Sequence, residues 1–339
     1  MNQLDKLYIA ATGMITPVGA TTEMTASSLK AGISAYRYSK FHHGNDAIKM
    51  ASVPDEALPQ LNEKLSASSI GSRQSRMLKL SHAAIEQILP DAVVGIPLYL
   101  AGPEPLPNMP LTMRSKFLEQ LQIQSGVNFD LEASKVFPMG RAAGFYALEA
   151  AFEFLSSTNK KFILVGGVDT FADFVALDYL ASQGRIQTEA GQADAFVPGE
   201  GAAFILLTND ESFKDNGQIY RPGIAEELGH RYSDEPYRGD GLASAFNLAI
   251  EYSALGTIDS IYSSLNGESM GAKEFGVACM RNSDYLAEEL EHIHPADCFG
   301  DLGGAMSIVL TALSISISGR AKIIYGASDY EFRGAVCIG

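Results

Sequence analysis

Short apolar runs alternate with amphipathic segments of helical length, and this alternation constrains the fold more than any other feature of the sequence. The apolar runs are bounded by Gly, Pro or polar residues, as buried strands are. In the first part of the chain they are LYIAAT (7–12), PLYLAG (97–102), KFILVGG (161–167) and AAFILL (202–207). The segments between them with helical periodicity are EMTASSLKAG, SRMLKLSHAAIEQIL, RSKFLEQLQ and GFYALEAAFEFLSS. Strands that alternate with helices predict an α/β fold built in layers.

The alternation starts again after about residue 212, behind the polar segment ESFKDNGQIYRPG. The later predicted elements are a helix at GLASAFNLAIEYSALG, a strand at IDSIYSSL, helices in KEFGVACMRNSDYLAEELE and GDLGGAMSIVLTALSIS, and strands at AKIIYGA and GAVCIG. We therefore predict two successive βαβαβ-type halves, residues 1–212 and 213–339. The stretch PEPLPNMP (103–110) is predicted to be a loop because its four prolines exclude regular structure.

Charge and composition exclude several classes of function. A formal net charge of −15 disfavours nucleic acid and anionic membrane surfaces as partners, because long-range repulsion slows the encounter. No apolar run reaches the roughly 18 residues of a membrane span, and the start MNQLDKLYIAATG lacks the basic end of a signal peptide. We therefore expect a cytoplasmic protein. The cysteines, Cys279, Cys298 and Cys337, are too few and too irregularly spaced for a disulfide framework or a zinc site.

Several segments, in the right order, resemble those of the β-ketoacyl synthases, which have the thiolase fold. YIAATGMITPVG is similar to the family's first strand and TG-x-x-TPVG turn, SRMLKLSHAAIEQ to the helix after its first long connection, and VGGVDTFADFVALDYL to the strand and turn after the nucleophile helix. The most specific match is DAFVPGEGAAFILL (194–207), which is similar to the family's FVxGEGA segment. The resemblance spans nearly the whole chain. It implies an α/β thiolase fold of five layers, αβαβα, built from two similar halves.

The nucleophile of this family is a cysteine in a C-x-x-G motif at the start of a long helix, where peptide dipoles stabilise a thiolate and backbone amides bind the oxyanion. The matching segment here is FPMGRAAGFYALEAAFEFL, with Gly144 on the motif glycine. This register puts Arg141 at the nucleophile position, and the adjacent registers give Gly140 or Ala142. A guanidinium stays protonated in a protein, so Arg141 is neither nucleophile nor base. Arg141 either binds an anion at the helix start or fills the space of a lost acyl tunnel and pairs with a buried carboxylate.

The family's two catalytic histidines have no counterpart in this sequence. The first histidine motif, HGT-x-T, corresponds to residues 266–270 and puts Asn266, which has no protonatable imidazole, at the histidine position. The second motif, GH-x-LGA, corresponds to residues 299–304 and puts Gly300 at the histidine position. The FGFGG loop that gates the acyl pocket is replaced by YGASDYEFRGA. Because nucleophile, histidines and gate depart together while the framework glycines persist, we predict that the fold was kept and the condensation lost.

Three more side chains in the same loops are candidates for a rewired site or a ligand contact: Glu268, Cys298 and Asp301. A buried structural cysteine is commoner than a catalytic one. His292 and His294 have no third ligand with a convincing spacing, so we predict no metal site, and no cofactor is expected. The residues that we predict as ligand candidates are therefore Arg141, Asn266, Glu268, Cys298 and Asp301.

Three functions are compatible with this sequence. The first is a non-catalytic partner or scaffold, which resembles either chain-length-factor subunits or the short cysteine-less thiolase-like proteins of type VI secretion loci that assist effector loading. The short, acidic chain without the gate favours the secretion version. The second is an acyltransferase or 3-oxoacyl-synthase-like enzyme that acts on acyl thioesters through a relocated nucleophile. The third is a binding module that holds a small anionic ligand at Arg141.

The predicted partners follow from the same resemblance. It implies a homodimer, or a heterodimer with another thiolase-fold protein, in which the strand before the nucleophile helix pairs across a two-fold axis. A secretion adaptor or effector is a further predicted partner. An acyl carrier protein is a poorer one, because both it and this chain are acidic.

Overall fold

A computed structural model describes residues 4–66, 70–88, 95–113, 116–316 and 321–339 of the chain. Most strands coincide with the predicted apolar runs. The strands of the first part are β1 (Lys6–Ile15), β2 (Tyr36–His43), β3 (Asp46–Ala51), β4 (Leu98–Ala101), β5 (Lys135–Phe137), β6 (Phe162–Thr170) and β7 (Glu200–Thr208). Those of the second part are β8 (Gln218–Tyr220), β9 (Gly223–Glu226), β10 (Ile258–Ser263), β11 (Leu286–Ile293), β12 (Lys322–Ala327) and β13 (Phe332–Ile338).

The helices fill the connections between these strands. They are α1 (Thr22–Lys30), α2 (Glu63–Ser66), α3 (Ser72–Ile85), α4 (Phe117–Ser125), α5 (Ala143–Ser157), α6 (Phe174–Ser182), α7 (Asp240–Ser253), α8 (Ser269–Arg281), α9 (Ala296–Phe299) and α10 (Met306–Ile315). Short 3₁₀ turns lead into the two central helices, at Gly140–Ala142 before α5 and at Gly303–Ala305 before α10. No helix within the described ranges combines the length and the apolar character that a membrane span requires.

The same strand pairing occurs twice along the chain. In the first part β1 pairs antiparallel with β7, β7 antiparallel with β6, β6 parallel with β4, and β4 parallel with β5. In the second part β9, β13, β12, β10 and β11 repeat this order and these directions. Strand β8 pairs with both β1 and β13 and joins the two arrangements. This repetition in space agrees with the repeated alternation in the sequence.

Alternate residues of each strand face different layers, because successive strand side chains point to opposite faces. In β6, Ile163 and Val165 pack in one cluster with α5 and α10, whereas Leu164 and Val168 pack in another with α3 and α4. A third cluster packs α7 and α8 against the outer face of β10, β12 and β13. The layers are therefore α3/α4, first sheet part, α5/α10, second sheet part, and α7/α8. The predicted five-layer αβαβα fold is confirmed.

One predicted helix is wrong in its second half. The segment KEFGVACMRNSDYLAEELE is helical only as far as Arg281, and Leu286–Ile293 is β11, a strand at the end of the sheet. The Asn282 side chain donates to the Ala278 carbonyl at 2.9 Å and to the Ala243 carbonyl at 3.1 Å, and a 3₁₀ turn follows. The glutamates in LAEELEHI favour a helix by propensity, but their charges also suit an exposed sheet edge, where they oppose pairing with another chain.

Candidate functional site

The candidate site lies where the carboxyl ends of the parallel strands meet, beside the starts of α5 and α10. In α/β folds this edge is the usual place for ligands and catalytic groups. The residues that follow these strands are Glu104 after β4, Arg141 after β5, Asn266 and Glu268 after β10, Asp301 after β11 and Asp329 after β12. Four of the predicted ligand candidates, Arg141, Asn266, Glu268 and Asp301, come together here.

Arg141 is buried, and its guanidinium donates hydrogen bonds to two carboxylates of the protein. Its Nε donates to Asp301 Oδ2 at 2.8 Å, and its Nη1 donates to Asp329 Oδ1 at 3.1 Å. Gly140, just before it, has a φ of 68°, and a Cβ there would meet the Glu104 carboxylate. Of the two readings left open by the sequence, the described contacts show pairing with buried carboxylates.

Asn266, in the second half of the chain, bridges the carboxylates of Asp301 and Glu268. Its Nδ2 donates to Asp301 Oδ2 at 2.8 Å and to Glu268 Oε2 at 3.1 Å, and its Oδ1 accepts from the Glu268 backbone amide at 3.1 Å. Both amide hydrogens and the amide oxygen therefore have partners. Asn266 holds two carboxylates in place but has no hydrogen to offer a substrate carbonyl.

Three residues that sequence reasoning missed complete an ionic cluster: Arg185, Arg231 and Asp329. Arg185 forms a two-pronged contact with Glu268, with both distances at 2.8 Å, and its Nη1 lies 2.6 Å from Asp329 Oδ2. Arg231 lies 3.0 Å from Glu268 Oε1 and 3.3 Å from Asp329 Oδ1. We define the ionic cluster as three guanidiniums, three carboxylates and one amide: Arg141, Arg185, Arg231, Glu268, Asp301, Asp329 and Asn266.

Asp329 has the densest set of positive neighbours in the cluster. Burial favours its protonated form, but Arg141, Arg185 and Arg231 oppose burial and hold the pKa of Asp329 well below its usual range. Three guanidiniums around one carboxylate satisfy its lone pairs as well as its charge. Asp329 is therefore ionised and is the centre of the cluster.

Glu104 lies at the edge of the cluster, and its pKa is shifted in the opposite direction to that of Asp329. Its Oε1 accepts from the Asp329 amide at 3.0 Å and its Oε2 from the Tyr330 amide at 3.2 Å. Burial and the nearby Asp329 charge raise the pKa of Glu104 to about 7, against the opposing effects of Arg141 and the two amides. A protonated Glu104 leaves three cations facing three anions, so the cluster is close to neutral.

This protonation makes stability depend on pH. The pKa of Glu104 is raised from 4.5 to about 7 on folding, so the stability it contributes is present below 4.5 and is lost as pH rises through 7. We expect the free energy of unfolding to fall by about 2 kcal/mol more in the wild type than in Glu104→Gln between pH 5 and 8. Urea unfolding at both pH values measures this difference. Parallel pH dependence in the two proteins would contradict the assignment.

Four backbone amides at the starts of the two central helices donate to side chains of the protein. The Ala142 amide donates to Ser328 Oγ at 3.0 Å and the Gly144 amide to Ser307 Oγ at 2.9 Å. At the start of α10, Gly303 donates to Asp301 and Gly304 to Asp169, both at 2.9 Å. An oxyanion hole needs amides that point at the place where charge develops. Here these four amides donate to side chains of the protein instead.

The space beside the cluster is too small for an acyl chain. Two cavities lined by described residues adjoin Arg141, with volumes of about 40 and 30 Å³. Such cavities hold a few water molecules, whereas ligand pockets are of order hundreds of Å³. The site is therefore filled by its own side chains.

The remaining predicted residues do not join the cluster. Cys298 is buried in α9, and burial together with the nearby Asp297 raises the pKa of its thiol. Gly300 has a φ of 75°, and a Cβ there would lie 2.6 Å from the Val197 carbonyl oxygen, so its backbone excludes a side chain. His292 packs on Phe275, and burial lowers its pKa to about 4. Within the described ranges, no group of three or more His, Cys, Asp or Glu side chains is placed to hold a metal ion.

Known proteins give the following comparisons. Residues 140–212 match the family model described as the N-terminal domain of beta-ketoacyl synthase. No curated protein matches the chain. Among solved structures, the ishigamide ketosynthase/chain length factor has a TM-score of 0.76 at 15% identity, over 99% of each chain. The ketosynthase ApeO in complex with its chain length factor ApeC, from Xenorhabdus doucetiae, has a TM-score of 0.76 at 14% identity, over 100% of this chain and 99% of that one.

A third solved structure gives the same result. The oxazolomycin ketosynthase domain OzmH KS7 from Streptomyces albus JA3453 has a TM-score of 0.77 at 10% identity, over 99% of this chain and 75% of that one. The chain therefore has the thiolase-like fold of the β-ketoacyl synthases. At these identities the likeness extends to the fold and not to the chemistry.

Proposed function

We propose that this protein is a non-catalytic thiolase-fold subunit that acts by assembling with a second thiolase-fold protein. The ionic cluster is the observation that supports the absence of catalysis. The resemblance aligns Arg141 with the family's nucleophile, and the guanidinium of Arg141 is engaged by Asp301 and Asp329. A condensing enzyme needs a thiolate, free amide donors and an acyl pocket in one place. The described site has a guanidinium, four amides that donate to protein side chains, and cavities of about 40 and 30 Å³.

Incubation with acyl thioesters tests the proposed absence of catalysis directly. We expect no mass increase of the intact protein after incubation with short- and long-chain acyl-CoA and acyl-carrier-protein thioesters, because no thiolate or hydroxyl of the site is activated. Intact-protein mass spectrometry and release of free thiol are the measurements. A covalent acyl adduct that disappears in Cys298→Ala would instead establish the alternative, an acyltransferase with a relocated nucleophile.

The open edge of β5 supports the proposed assembly with a second thiolase-fold protein. β5 ends the sheet and has β4 as its neighbour among the described strands. In a parallel pair, one residue's amide and carbonyl point to the same side, and the sides alternate along the strand. The Phe137 carbonyl accepts from Gly102, on the β4 side, so the amide and carbonyl of Val136 face the open edge. A second thiolase-fold protein pairs there in the arrangement that the family resemblance implies.

The relatives favour one version of this assembly. Two of the solved structures named above contain a chain length factor in their descriptions. We therefore propose a chain-length-factor-like pairing as the first to examine. Loading of type VI secretion effectors stays a prediction from sequence, with no contact among the described residues that favours it.

Val136→Pro is expected to abolish dimerisation while leaving the monomer folded. Proline removes the amide that faces the open edge and leaves the β4 bonds intact, and edge strands tolerate it. Val136→Ala is the matched control, because it removes the same side-chain packing but keeps the amide. Light scattering across a range of protein concentrations, with thermal melting as the folding check, measures the effect. Equal dimer content in both variants would place the interface elsewhere.

A further inference from the structure

A large groove lies along β2, outside the ionic cluster. Its volume is about 730 Å³, which is an order of magnitude above the cavities beside Arg141. We call it the β2 groove. Its lining residues fall in β2 with the residue before it, in and after β3, at the start of α3 and at the start of α6. The members used below are Arg37, Tyr38, Lys40, Phe41, Arg76 and Phe174.

Strand β2 has a free edge beside this groove. Within the described ranges, β2 pairs with β3, whereas β3 also bonds on its other side to residues 187 and 198. The residues of β2 from Arg37 to Phe41 all line the groove. The register of β2 against β3 shifts between Tyr38 and His42, so this part of the strand is bulged and its side chains do not alternate strictly between two faces. A free edge offers unpaired backbone groups to an extended segment.

The groove is positively charged, in contrast to the chain as a whole. Arg37, Lys40 and Arg76 line it, with Asp55 as the single carboxylate. Arg76 bonds to Asp55 and Glu200, so its charge is compensated. No ion pair of Arg37 or Lys40 occurs within the described part of the chain. A chain of net charge −15 therefore presents, at one place, two cations that form no ion pair among the described residues, although Lys40 also feels the Asp55 carboxylate.

Large apolar side chains are exposed at the same groove. Tyr38 is 54% exposed and Phe174, at the start of α6, is 61% exposed. Phe41, Met50 and Val53 also line the groove. Exposed aromatic side chains next to cations are typical of surfaces that anchor a partner. Neither the ionic cluster nor the edge of β5 uses them.

We propose that the β2 groove binds an extended, acidic segment of a partner protein. Its carboxylates contact Arg37 and Lys40, and its apolar side chains pack on Tyr38, Phe41 and Phe174. The net negative charge of the chain repels an acidic segment over most of its surface. The cations of the groove attract such a segment, so an acidic partner is favoured at this place. This inference does not depend on the catalytic state of the site or on pairing at β5.

Binding of two synthetic peptides tests the proposal. The first is a fluorescein-labelled peptide of about ten residues that alternates Glu with Leu, and the second replaces each Glu by Lys. We expect the Glu–Leu peptide to bind and the Lys–Leu peptide not to bind, with fluorescence anisotropy as the readout. Arg37→Glu/Lys40→Glu should raise the Kd of the Glu–Leu peptide at least about tenfold, and added salt should weaken the wild-type complex. Phe174→Ser should also raise the Kd.

Lys64→Glu/Lys214→Glu is the matched control. It changes the net charge by the same amount at exposed lysines outside the groove, and it should leave the Kd unchanged. Thermal melting checks that all variants fold. Equal weakening in the control, binding of the Lys–Leu peptide, or no binding of either peptide at millimolar concentration would overturn the proposal. Self-association of the unliganded protein that Arg37→Glu/Lys40→Glu abolishes would also overturn it, since the occupant would then be a second copy of this chain.

Discussion

Arg141→Ala is expected to lower the free energy of unfolding by about 3–5 kcal/mol, the cost of breaking a buried ion pair from one side. Arg141 is 6% exposed, and its guanidinium contacts both Asp301 and Asp329. Its removal leaves the Asp301 carboxylate buried with Asn266 as its remaining side-chain partner. The expected loss comes from this uncompensated charge. Urea unfolding near neutral pH measures it.

Arg281→Ala is the matched control for this loss. Arg281 also contacts an aspartate, Asp240, but the two side chains are 49% and 55% exposed. An exposed ion pair contributes about 0–1 kcal/mol, because water solvates both charges after the pair is broken. We therefore expect a several-fold difference between the two variants. A similar, small loss in both would mean that Arg141 is solvated in solution and that the site is open to ligands.

The fold was largely predictable because its signal is local. Apolar runs of strand length, broken by Gly and Pro, predicted β1, β4, β6 and β7 within a few residues of their bounds. The error at β11 has the same physical origin, since LAEELEHI contains good helix formers and its strand state depends on pairing with β10, a non-local contact. The hairpin of β2 and β3 was missed for a similar reason. Strand β2 is polar and has no buried residue, and β3 buries neighbouring residues (Ala47 with Ile48, and Met50 with Ala51), so neither strand shows the strict alternation of a half-buried strand.

Four of the seven residues of the ionic cluster were predicted from the sequence, and three were not. Arg141, Asn266, Glu268 and Asp301 lie in segments that resemble known motifs, so their proximity followed from the resemblance. Arg185 and Arg231 carry no such signal. Arg185 bonds to Glu268, 83 positions away, and to Asp329, 144 positions away, and loops far apart in sequence give no periodicity to detect.

A weaker signal for two of the missed residues was present in the sequence. Asp329 lies in YGASDYEFRGA, where the family has an apolar and glycine-rich gate, and Glu104 lies among the prolines of PEPLPNMP. Charged residues at places where a pocket-lining loop is expected indicate compensation by opposite charges nearby. Arg141 at the nucleophile position was such a charge. In the structure Arg141 and Asp329 belong to the same ionic cluster, and Glu104 lies at its edge.

A second buried ion pair holds the loop that presents Asp329, and removal of one partner there should have an effect as large as that at Arg141. Arg333 is 1% exposed, and its Nε donates to the Glu274 carboxylate. Its Nη1 also donates to the carbonyl oxygens of Ser328, Tyr330 and Phe332, at 2.9, 2.6 and 2.9 Å. One guanidinium therefore fixes both ends of this loop. Burial raises the pKa of Glu274, and Arg333 opposes this effect.

Arg333→Met and Glu274→Leu should each lower the free energy of unfolding by about 3–5 kcal/mol, whereas the double variant should lose at least about 2 kcal/mol less than their sum. Each single variant leaves one buried charge without its partner, but the double variant replaces both charges by apolar groups of similar volume. The double variant still loses the three carbonyl contacts, so we do not expect full recovery. A double-mutant cycle by urea unfolding measures the coupling. Strict additivity would mean that the pair is solvated and that backbone contacts alone hold the loop with Asp329 in the cluster.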